Sequence, residues 1–384
     1  MSELRFLTAG ESHGPCLTAI LEGLPAGLAL DIEAINRDLA RRQQGYGRGG
    51  RMKIEKDKAE ILSGVRFGET LGGPITLRVV NRDFANWTDR MAAFGAPSGE
   101  PVTAARPGHA DLTGCKKYAR SDIRDILERS SARETTMRVA VGALCKEFLR
   151  SLGIDVVSHV TKIGGVAVNP DHIDVMSIGR TESELNCCDA EAEERMKARI
   201  REAMAAGDTL GGTFEVIVRG VPVGLGSHIQ WDRRLDARLA GAMMSIQAIK
   251  GVEIGAGFRY ADQPGSAMHD EMYIEGTHVY RRTNHAGGLE GGMTNGEPVV
   301  VRAVMKPIPT LMQPLHSVDI ASKKPVLACK ERSDACAVSA ASVVGEAMTA
   351  FVITQAIVEK FGGDAMVDVR TALSAYNERV EKDW

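Results

Sequence analysis

The sequence lacks the features of membrane-spanning, secreted and nucleic-acid-binding proteins. Its N-terminal residues have no apolar core of a secretory signal. No run approaches the roughly 18 uncharged apolar residues of a membrane helix, because even the most apolar stretch, residues 335–358, is interrupted by Glu346. The net charge is −3, from 47 basic and 50 acidic residues, whereas proteins that bind nucleic acids are usually basic overall. We therefore expect neither a membrane nor a nucleic acid as partner.

Paired cysteines and interdomain linkers are also missing. The seven cysteines are odd in number, scattered and without a C-x-x-C spacing, which predicts a reduced, cytoplasmic protein with no metal site. No Pro- or Ser-rich linker and no internal repeat divides the chain. The composition, 44% hydrophobic and 25% charged, is typical of a globular protein, and 384 residues are sufficient for one or two domains.

Strand-like and helix-like segments are mixed along the chain. Three segments are β-branched, partly alternating and bounded by glycine or proline, as strands are. They are residues 72–81, 212–220 and 297–308. Four segments have apolar residues at helical spacing. They are residues 31–45, 131–153, 235–251 and 335–360. Because the two kinds of segment do not alternate regularly, the pattern favours an α+β fold over a doubly wound parallel sheet.

The first motif, G-E-S-H-G at residues 10–14, has the G-x-S-x-G pattern of the nucleophile elbow in α/β-hydrolases. An elbow serine is followed at once by a long helix, whereas the apolar run after Ser12 is short and ends near Gly23. Adjacent side chains of an extended segment point to opposite faces, so Ser12 and His13 cannot form a nucleophile–base pair. By itself the motif favours a tight turn with a structural histidine over a hydrolase.

The start of the helix at residues 131–153 predicts an anion site. Ser131 and Glu134 form the S-x-x-E pattern of a capping box, with Ser131 as N-cap and Glu134 reaching back to it. A helix N-terminus offers backbone N–H groups and the positive end of the helix dipole. Arg129 and Arg133 oppose that dipole, and a bound anion relieves the conflict.

Arginine, glycine and histidine are concentrated in loops. Residues 41–55 are rich in arginine and glycine, which is compatible with a loop that closes on a polyanion and with a solvated basic loop. Arg106 and His109 lie in a proline–glycine turn, and Asp334 precedes a helix of small residues. Guanidinium groups bind carboxylate and phosphate bidentately. These loops therefore predict an enzyme for a small, multiply anionic and phosphorylated substrate.

In this order, the segments resemble those of the chorismate synthase family. The resemblance covers nearly the whole chain, and its motifs include GESHGPCLTAILEGLPAG, RRQQGYGRGGRMKIE, RPGHADLTG, ERSSARETTMRVAVGA, RRTNHAGGLEGGMTNGEP, MKPIPTL and ERSDACAV. One departure is Ala335, where the family often has proline. It leaves the neighbouring carboxylate of Asp334 in place.

The resemblance implies a carbon–oxygen lyase of the shikimate pathway to aromatic amino acids. The family eliminates phosphate and a ring proton from 5-enolpyruvylshikimate-3-phosphate, in an anti-1,4 sense, to give chorismate. It requires reduced FMN without net redox change, and NADPH or a separate flavin reductase is the implied reductant. The resemblance also implies one α+β domain over residues 1–384, with helices sandwiched between antiparallel sheets, and a homotetramer. A flavin-binding protein without lyase activity and a G-x-S-x-G hydrolase stay open as alternatives.

The resemblance further assigns residues to the site. As catalytic residues it implies His13 as proton donor to reduced flavin, His109 as acid to the leaving phosphate, and Asp334 as the base that removes the flavin N5 proton. The substrate-binding residues are Ser12, Arg42, Arg48, Arg51, Arg106, Ser130, Arg133 and Arg332. The FMN-binding residues are Arg129, Ser130, Ser131, Gln247, Ala248, Gly291, Lys306, Pro307, Ile308, Pro309, Thr310 and Arg332. Arg42 and Arg48 are also assigned to NADPH.

Overall fold

The computed structural model describes residues 4–49, 54–173, 177–179, 182–276, 278–330 and 334–383. Its strands, in chain order, are β1 (Arg5–Ala9), β2 (Cys16–Glu22), β3 (Glu60–Ile61), β4 (Val65–Arg66), β5 (Glu69–Thr70), β6 (Ile75–Val80), β7 (Asp155–Ile163), β8 (Val166–Ala167), β9 (Gly212–Arg219), β10 (Ile249–Ile254), β11 (Met272–Glu275), β12 (His278–Arg281), β13 (Leu289–Glu290), β14 (Met293–Thr294), β15 (Val299–Met305), β16 (His316–Val318) and β17 (Pro325–Leu327). Its α-helices are α1 (Ile32–Gln43), α2 (Asp111–Tyr118), α3 (Arg124–Ser130), α4 (Thr135–Arg150), α5 (Ala190–Ala205), α6 (Leu235–Met244), α7 (Gly265–Met268), α8 (Val338–Phe361) and α9 (Met366–Asp383).

Two antiparallel sheets form the outer layers of the fold. One has the strand order β1–β2–β6–β3, and the other has the order β10–β15–β9–β7–β8. Side chains alternate between the two faces of a strand, and in β6 this alternation buries Ile75, Leu77 and Val79 on one face. The three predicted strands are confirmed as β6, β9 and β15.

Helices α1, α4 and α8 lie between the two sheets. Helix α4 packs on β2 and β6 of the first sheet and on β7 of the second, and α8 packs on β7 and β9. A Cβ atom at Gly142 in α4 would lie 2.3 Å from the Cβ of Ala347 in α8. Small residues therefore let these helices approach closely. The α+β class, with helices sandwiched between antiparallel sheets, is confirmed.

Helix α8 is the most apolar element of the fold. By length and composition alone it is able to cross a membrane, although Glu346 interrupts its apolar run. However, 94% of its most apolar window is buried inside the protein. Glu346, the acidic residue within that window, accepts hydrogen bonds from Arg41 at 2.6 Å and from Lys146 at 2.7 Å. Helix α8 is therefore the core helix between the sheets.

Two predicted helices show where local sequence does and does not decide an element. Helix α1 has the expected N-cap, because the side chain of Asp31 accepts from the backbone N–H of Glu33 at 2.9 Å. The predicted helix over residues 235–251 is wrong after Met244. There the chain turns through Ala248, whose φ is 68°, and residues from Ile249 onward pair with β15. Sheet hydrogen bonds replace the last helical turns.

Candidate functional site

The turn at residues 10–14 holds His13 against helix α3. Gly10 has a φ of 107°, and a Cβ atom there would lie 2.5 Å from a backbone carbonyl oxygen of β2, so this position requires glycine. The backbone N–H of Ser12 donates to the carbonyl oxygen of Glu128 at 3.0 Å. The backbone N–H of His13 donates to the Glu128 carboxylate at 2.7 Å. The G-x-S-x-G segment is therefore a tight turn that is docked on α3.

The imidazole of His13 lies between a carboxylate and an aromatic ring. Its Nδ1 is 2.9 Å from Oε1 of Glu128, and its ring stacks on Trp87 with the centroids 4.1 Å apart. Arg124 donates to the same carboxylate at 3.2 Å. Burial raises the pKa of Glu128, but the hydrogen bonds and charge of His13, with help from Arg124, lower it by more. Glu128 is therefore ionised beside His13.

A second histidine, His109, lies on the turn at residues 105–110. The fully buried Asp111 accepts hydrogen bonds from Nε of Arg106 at 2.9 Å and from its Nη2 at 3.0 Å. Nδ1 of His109 contacts the same carboxylate. Burial raises the pKa of Asp111, but the hydrogen bonds from His109 and Arg106 bring it well below its usual range. The turn thus presents a cation and an imidazole held by one ionised carboxylate.

This turn is tied to the segment of residues 306–310, for which FMN binding is predicted. Nη1 of Arg106 donates to the hydroxyl of Thr310 at 3.1 Å, and Nζ of Lys306 donates to the carbonyl oxygen of Gly108. Burial, followed by the nearby charge of Lys250, lowers the pKa of Lys306. The predicted acid and the predicted flavin segment therefore lie side by side.

The start of α4 differs from the predicted capping box. Ser131 is the N-cap of a 3-10 turn over Ala132–Glu134 that leads into α4, and its side chain accepts from the N–H of Arg133 at 3.3 Å. Its hydroxyl also donates to the Ser12 hydroxyl at 3.2 Å. Glu134 does not reach back. Its carboxylate accepts from the long-range partners Thr8 at 2.8 Å and Gln247 at 3.0 Å, and from Arg138 one helical turn later at 2.9 Å, because these donors outnumber the single one at Ser131.

Arg129 does not oppose a helix dipole. It lies in the last turn of α3, where a cation is favourable, and its Nη2 donates to the carbonyl oxygen of Thr8 at 2.8 Å. Ser130 is the last residue of α3, and its hydroxyl lies 3.4 Å from the carbonyl oxygen of Leu127. For Arg129 the predicted conflict with the dipole was therefore wrong, whereas Arg133 lies in the 3-10 turn that leads into α4. The anion site at this position stays a prediction.

Arg42 and Arg133 share one buried carboxylate. Asp57 accepts from Nη2 of Arg42 at 2.8 Å and from Nη1 of Arg133 at 2.7 Å. Nε and Nη2 of Arg133 donate to Asn81 at 3.0 and 2.8 Å. Burial lowers the pKa of Arg42 to about 10, with the cations of Arg133 and Arg48 acting in the same direction and Asp57 acting against them. Both guanidinium groups are thus held inside the protein.

The arginine-rich loop docks beside the predicted base. Nε of Arg48 lies 3.1 Å from Oδ2 of Asp334, and the backbone N–H of Gly49 donates to Oδ1 at 2.6 Å. Helix α8 begins only at Val338 with Ala337 as its N-cap. The helix predicted over residues 335–360 therefore begins later than expected. The chain after Asp334 first pairs with the loop, where the N–H of Ala335 donates to the carbonyl oxygen of Gly47 at 2.8 Å.

A cavity of about 440 Å³ has two of the predicted FMN residues, Arg129 and Gln247, in its wall. It is lined by Phe6, Leu7, Thr8, Arg129, Glu134, Arg138, Ser245, Gln247 and Met348. Within the described part of the chain, the buried Oε1 of Gln247 has no hydrogen-bond partner. The next residue, Ala248, accepts from the backbone N–H of Lys306 at 2.9 Å, which joins the cavity wall to the 306–310 segment.

The remaining predicted residues are dispersed or lie outside the described residues. Pro307, Ile308 and Pro309 form irregular chain between Lys306 and Thr310, and the Ile308 carbonyl oxygen accepts from Thr209 at 2.8 Å. Gly291 lies at the turn between β13 and β14, where an added Cβ atom would be 3.9 Å from the side chain of His228. Arg51 and Arg332 lie outside the described residues.

A family profile described as chorismate synthase matches residues 4–358. The chain belongs to the chorismate synthase family. Over 98% of its length it is 59% identical to the chorismate synthase of Geobacter sulfurreducens, 99% of which is covered. It is 58% identical to that of Syntrophotalea carbinolica over 100% of both chains. A solved structure entitled "Crystal Structure of Chorismate Synthase" is 46% identical, with a TM-score of 0.79 and coverage of 100% of this chain and 99% of that one.

Membership of the chorismate synthase family fixes the class of reaction. The chain has chorismate synthase activity, a lyase reaction on a small-molecule substrate in aromatic biosynthesis, and its family requires reduced flavin. The hydrolase and the flavin carrier without lyase activity are not favoured. This agrees with the geometry of the turn at residues 10–14, where Ser12 is buried and bonded to Ser131.

Sequence reasoning missed the carboxylates that hold the site together. Glu128, Asp111 and Asp57 each contact one or two of the predicted site residues. Asp111 was detectable, because it lies two residues after His109 in the RPGHADLTG motif. Nothing local distinguishes Glu128, whose partner His13 is 115 residues away in the chain.

Proposed function

We propose that the chain converts 5-enolpyruvylshikimate-3-phosphate to chorismate at the turns carrying His13 and His109, with reduced FMN as cofactor. The observation that carries the proposal is the turn at residues 105–110, where Nη2 of Arg106 lies 3.1 Å from the imidazole of His109. A cation that attracts phosphate and an acid of suitable chemistry are thus in contact. Arg106 and His109 are residues of a chain whose family, the chorismate synthases, expels phosphate in its reaction.

His109 is proposed as the acid for the leaving group. When the bond between the ring carbon and the phosphate oxygen breaks, the electron pair stays on that oxygen, and His109 supplies the proton. Arg106 offsets the charge that develops on the phosphate, since charge-assisted hydrogen bonds are about twice as strong as neutral ones. Ser12, Ser130, Arg48, Arg51 and Arg332 complete the proposed substrate set. Arg42 and Arg133 belong to it as cations that are themselves held by Asp57.

The FMN assignment is supported by the chemistry of the cavity at residues 6–8, 129 and 247. Its volume of about 440 Å³ lies within the range of cofactor sites. Arg129 offers a cation to a phosphate, and the unpartnered Oε1 of Gln247 can accept a hydrogen bond from a ring N–H. Ser130, Ser131, Ala248, Gly291, and Lys306, Pro307, Ile308, Pro309 and Thr310 complete the proposed cofactor set, together with Arg332. Bound reduced flavin supplies an electron-rich ring to the reaction.

Proton movements near the flavin are assigned to His13 and Asp334. His13 is proposed to give a proton towards the cofactor, and the Asp334 carboxylate to accept one. Nε of Arg48 lies 3.1 Å from that carboxylate and holds it beside the arginine-rich loop. Arg42 and Arg48 are also the proposed contacts of NADPH, although a separate flavin reductase can supply the same electrons. A cytoplasmic homotetramer of one domain, residues 1–384, completes the proposal.

An anaerobic assay with chemically reduced FMN tests this assignment. We expect chorismate and inorganic phosphate to form in equal amounts, with no stoichiometric consumption of reductant. Oxidised FMN and reactions without flavin are the controls. Equal turnover in those controls would contradict the proposal. Flavin retention measured by filtration, with and without the Gln247→Leu substitution, separates a fault in the FMN site from a fault in the reaction.

A further inference from the structure

Each of the two candidate proton-donating histidines has its Nδ1 on a buried carboxylate. For His13 the partner is Glu128, which is 4% exposed and 2.9 Å away. For His109 the partner is Asp111, which is 0% exposed. The two pairs lie on different turns and use different carboxylates. The same arrangement has therefore been built twice in one site.

The surroundings of each carboxylate decide which ring nitrogen carries the proton. Arg106 and Arg124 are donors only, and they already donate to Asp111 and Glu128. An ionised carboxylate accepts but cannot donate. Nδ1 of each histidine therefore carries a hydrogen that it donates to its carboxylate. At His109 the same Nδ1 also lies 3.1 Å from Nη2 of Arg106, but the ionised carboxylate of Asp111 is the closer partner. Proton exchange with a ligand is consequently left to Nε2.

Both carboxylates fix the backbone of the turn as well as the ring. Glu128 accepts the backbone N–H of His13 at 2.7 Å in addition to its Nδ1. Asp111 accepts the backbone N–H of Arg106 at 3.0 Å in addition to the guanidinium. One carboxylate thus holds both the imidazole and a backbone N–H of the turn that carries it.

We propose that Glu128 and Asp111 are positioning residues, each of which holds the Nδ1 of its histidine so that proton transfer takes place at Nε2. Neither carboxylate touches the reacting atoms; both act through His13 and His109. The inference rests on the roles proposed above for these two histidines. It goes beyond them because it assigns the working nitrogen and the group that selects it.

The chain provides a matched control in the five-stranded sheet. His159 and Glu215 are also a histidine–carboxylate pair, with Nε2 of His159 lying 3.3 Å from Glu215. They are direct partners across β7 and β9, and Glu215 is also bonded to Arg302. The pair is therefore a similar interaction outside the proposed site. Substitution of Glu215 changes such a pair without touching either turn.

Double-mutant cycles under anaerobic conditions with reduced FMN test the proposal. The single variants are Glu128→Gln, Asp111→Asn, His13→Gln and His109→Gln, and each carboxylate variant is combined with its own histidine variant. We expect each carboxylate variant to lower kcat by at least about 10-fold, and each double variant to match its histidine variant within about threefold. The KM of Glu128→Gln stays close to that of the unchanged protein, whereas that of Asp111→Asn rises because Arg106 loses its anchor. Glu215→Gln retains kcat.

The outcomes separate this inference from the proposed function. If a histidine variant keeps full kcat, the proposed role of that histidine fails, and the inference fails with it. If the histidine variant is inactive but its carboxylate variant is fully active, only the positioning role is overturned. If the residual turnover, or the rate of a side reaction, is much lower in a double variant than in its histidine variant, the carboxylate acts independently of the ring. That result also overturns the inference.

A spectroscopic measurement on the unsubstituted protein does not depend on whether the variants fold. Histidine labelled with nitrogen-15 reports whether the neutral ring carries its proton on Nδ1 or on Nε2. We expect the Nδ1–H form for His13 and His109, with the signals assigned by their disappearance in the two histidine variants. The Nε2–H form at either residue would overturn the proposal for that pair.

Discussion

Single carboxylates determine how the charged residues of this site are used. Asp57 binds two buried arginines, Asp111 binds a cation and an imidazole, and Asp334 binds the arginine loop. The arginines outnumber the acids in the predicted site, yet the acids decide which guanidinium groups are held inside the protein. Substitutions at this scale therefore separate groups that act on a ligand from groups that maintain the fold.

Asp334→Asn tests a group that acts on the ligand. In the unchanged protein the N–H of Gly49 donates to Asp334 at 2.6 Å. Asparagine keeps the shape of the side chain and can still accept this hydrogen bond, but it is not a base. We expect the variant to fold and to bind FMN and substrate, with turnover reduced by at least about 100-fold. The control is Asp189→Asn, whose carboxylate accepts the backbone N–H of Ala192 at 3.0 Å at the start of α5. Turnover close to that of the unchanged protein would remove Asp334 from the reaction.

Arg133→Ala tests how far a proposed substrate-binding arginine also stabilises the fold. Its guanidinium is 3% exposed and bonded to Asp57 at 2.7 Å, so its removal leaves a buried carboxylate with one partner fewer. We expect the free energy of unfolding in urea to fall by about 3–5 kcal/mol, the usual cost of breaking a buried ion pair. Arg129→Ala, at an exposed arginine, should change it by at most about 1 kcal/mol. Equal effects of the two substitutions would contradict this assignment.

At the scale of elements, short irregular segments carry the site and the sheets and helices fix their spacing. The turn before α2 and the 306–310 segment after β15 are joined by two contacts, between Arg106 and Thr310 and between Lys306 and Gly108. One segment belongs to the proposed acid and the other to the proposed cofactor site. A ligand that orders one of them therefore orders the other.

This connection predicts that substrate and FMN bind cooperatively. We expect substrate to lower the Kd of FMN by about 5-fold or more, the usual scale of coupling between sites. Thr310→Val removes the acceptor of Arg106 and should reduce that ratio. Thr209→Val is the control, because its hydroxyl bonds Ile308 of the same segment at 2.8 Å without reaching the turn. Flavin titrations that give the same Kd with and without substrate would refute the coupling.

At the scale of the whole molecule, ionised carboxylates in the interior make the stability depend on acid. Burial raises the pKa values of Asp57, Asp111, Glu128 and Glu346, but their cationic and histidine partners lower them below the ordinary 3.8 and 4.5. The unfolded chain therefore binds protons before the folded chain does. The stabilisation is complete above the unfolded values and is lost as the pH falls towards the folded ones.

We accordingly expect the contribution of these carboxylates to the free energy of unfolding to be steady above about pH 5 and to decrease below it. Urea unfolding at a series of pH values measures this directly. Asp31→Asn serves as the control, because Asp31 is an exposed N-cap and asparagine caps about as well. Its acid profile should match that of the unchanged protein. A stability that rises on acidification would contradict the role given to the buried carboxylates.

The sequence predicted the elements better than the contacts between them. The strands β6, β9 and β15 and the core helix α8 were identified because burial imposes a visible pattern on consecutive residues. Glu134 was assigned to Ser131, its local partner, although distant donors hold it. Helix α6 was extended through residues that pair with β15 instead. Local rules fail at such positions because partners that are remote in the chain offer more hydrogen bonds, and no pattern of neighbouring residues records them.

Helix α8 follows every strand of both sheets along the chain, yet it is the element on which β7 and β9 pack. During synthesis these strands leave the ribosome before their packing partner exists. Their apolar faces then stay in contact with water or with chaperones, and they are prone to aggregate. The sheets reach their native arrangement only once residues 338–361 have emerged. We therefore expect the two sheets to fold late in translation, in one cooperative step around α8, rather than strand by strand.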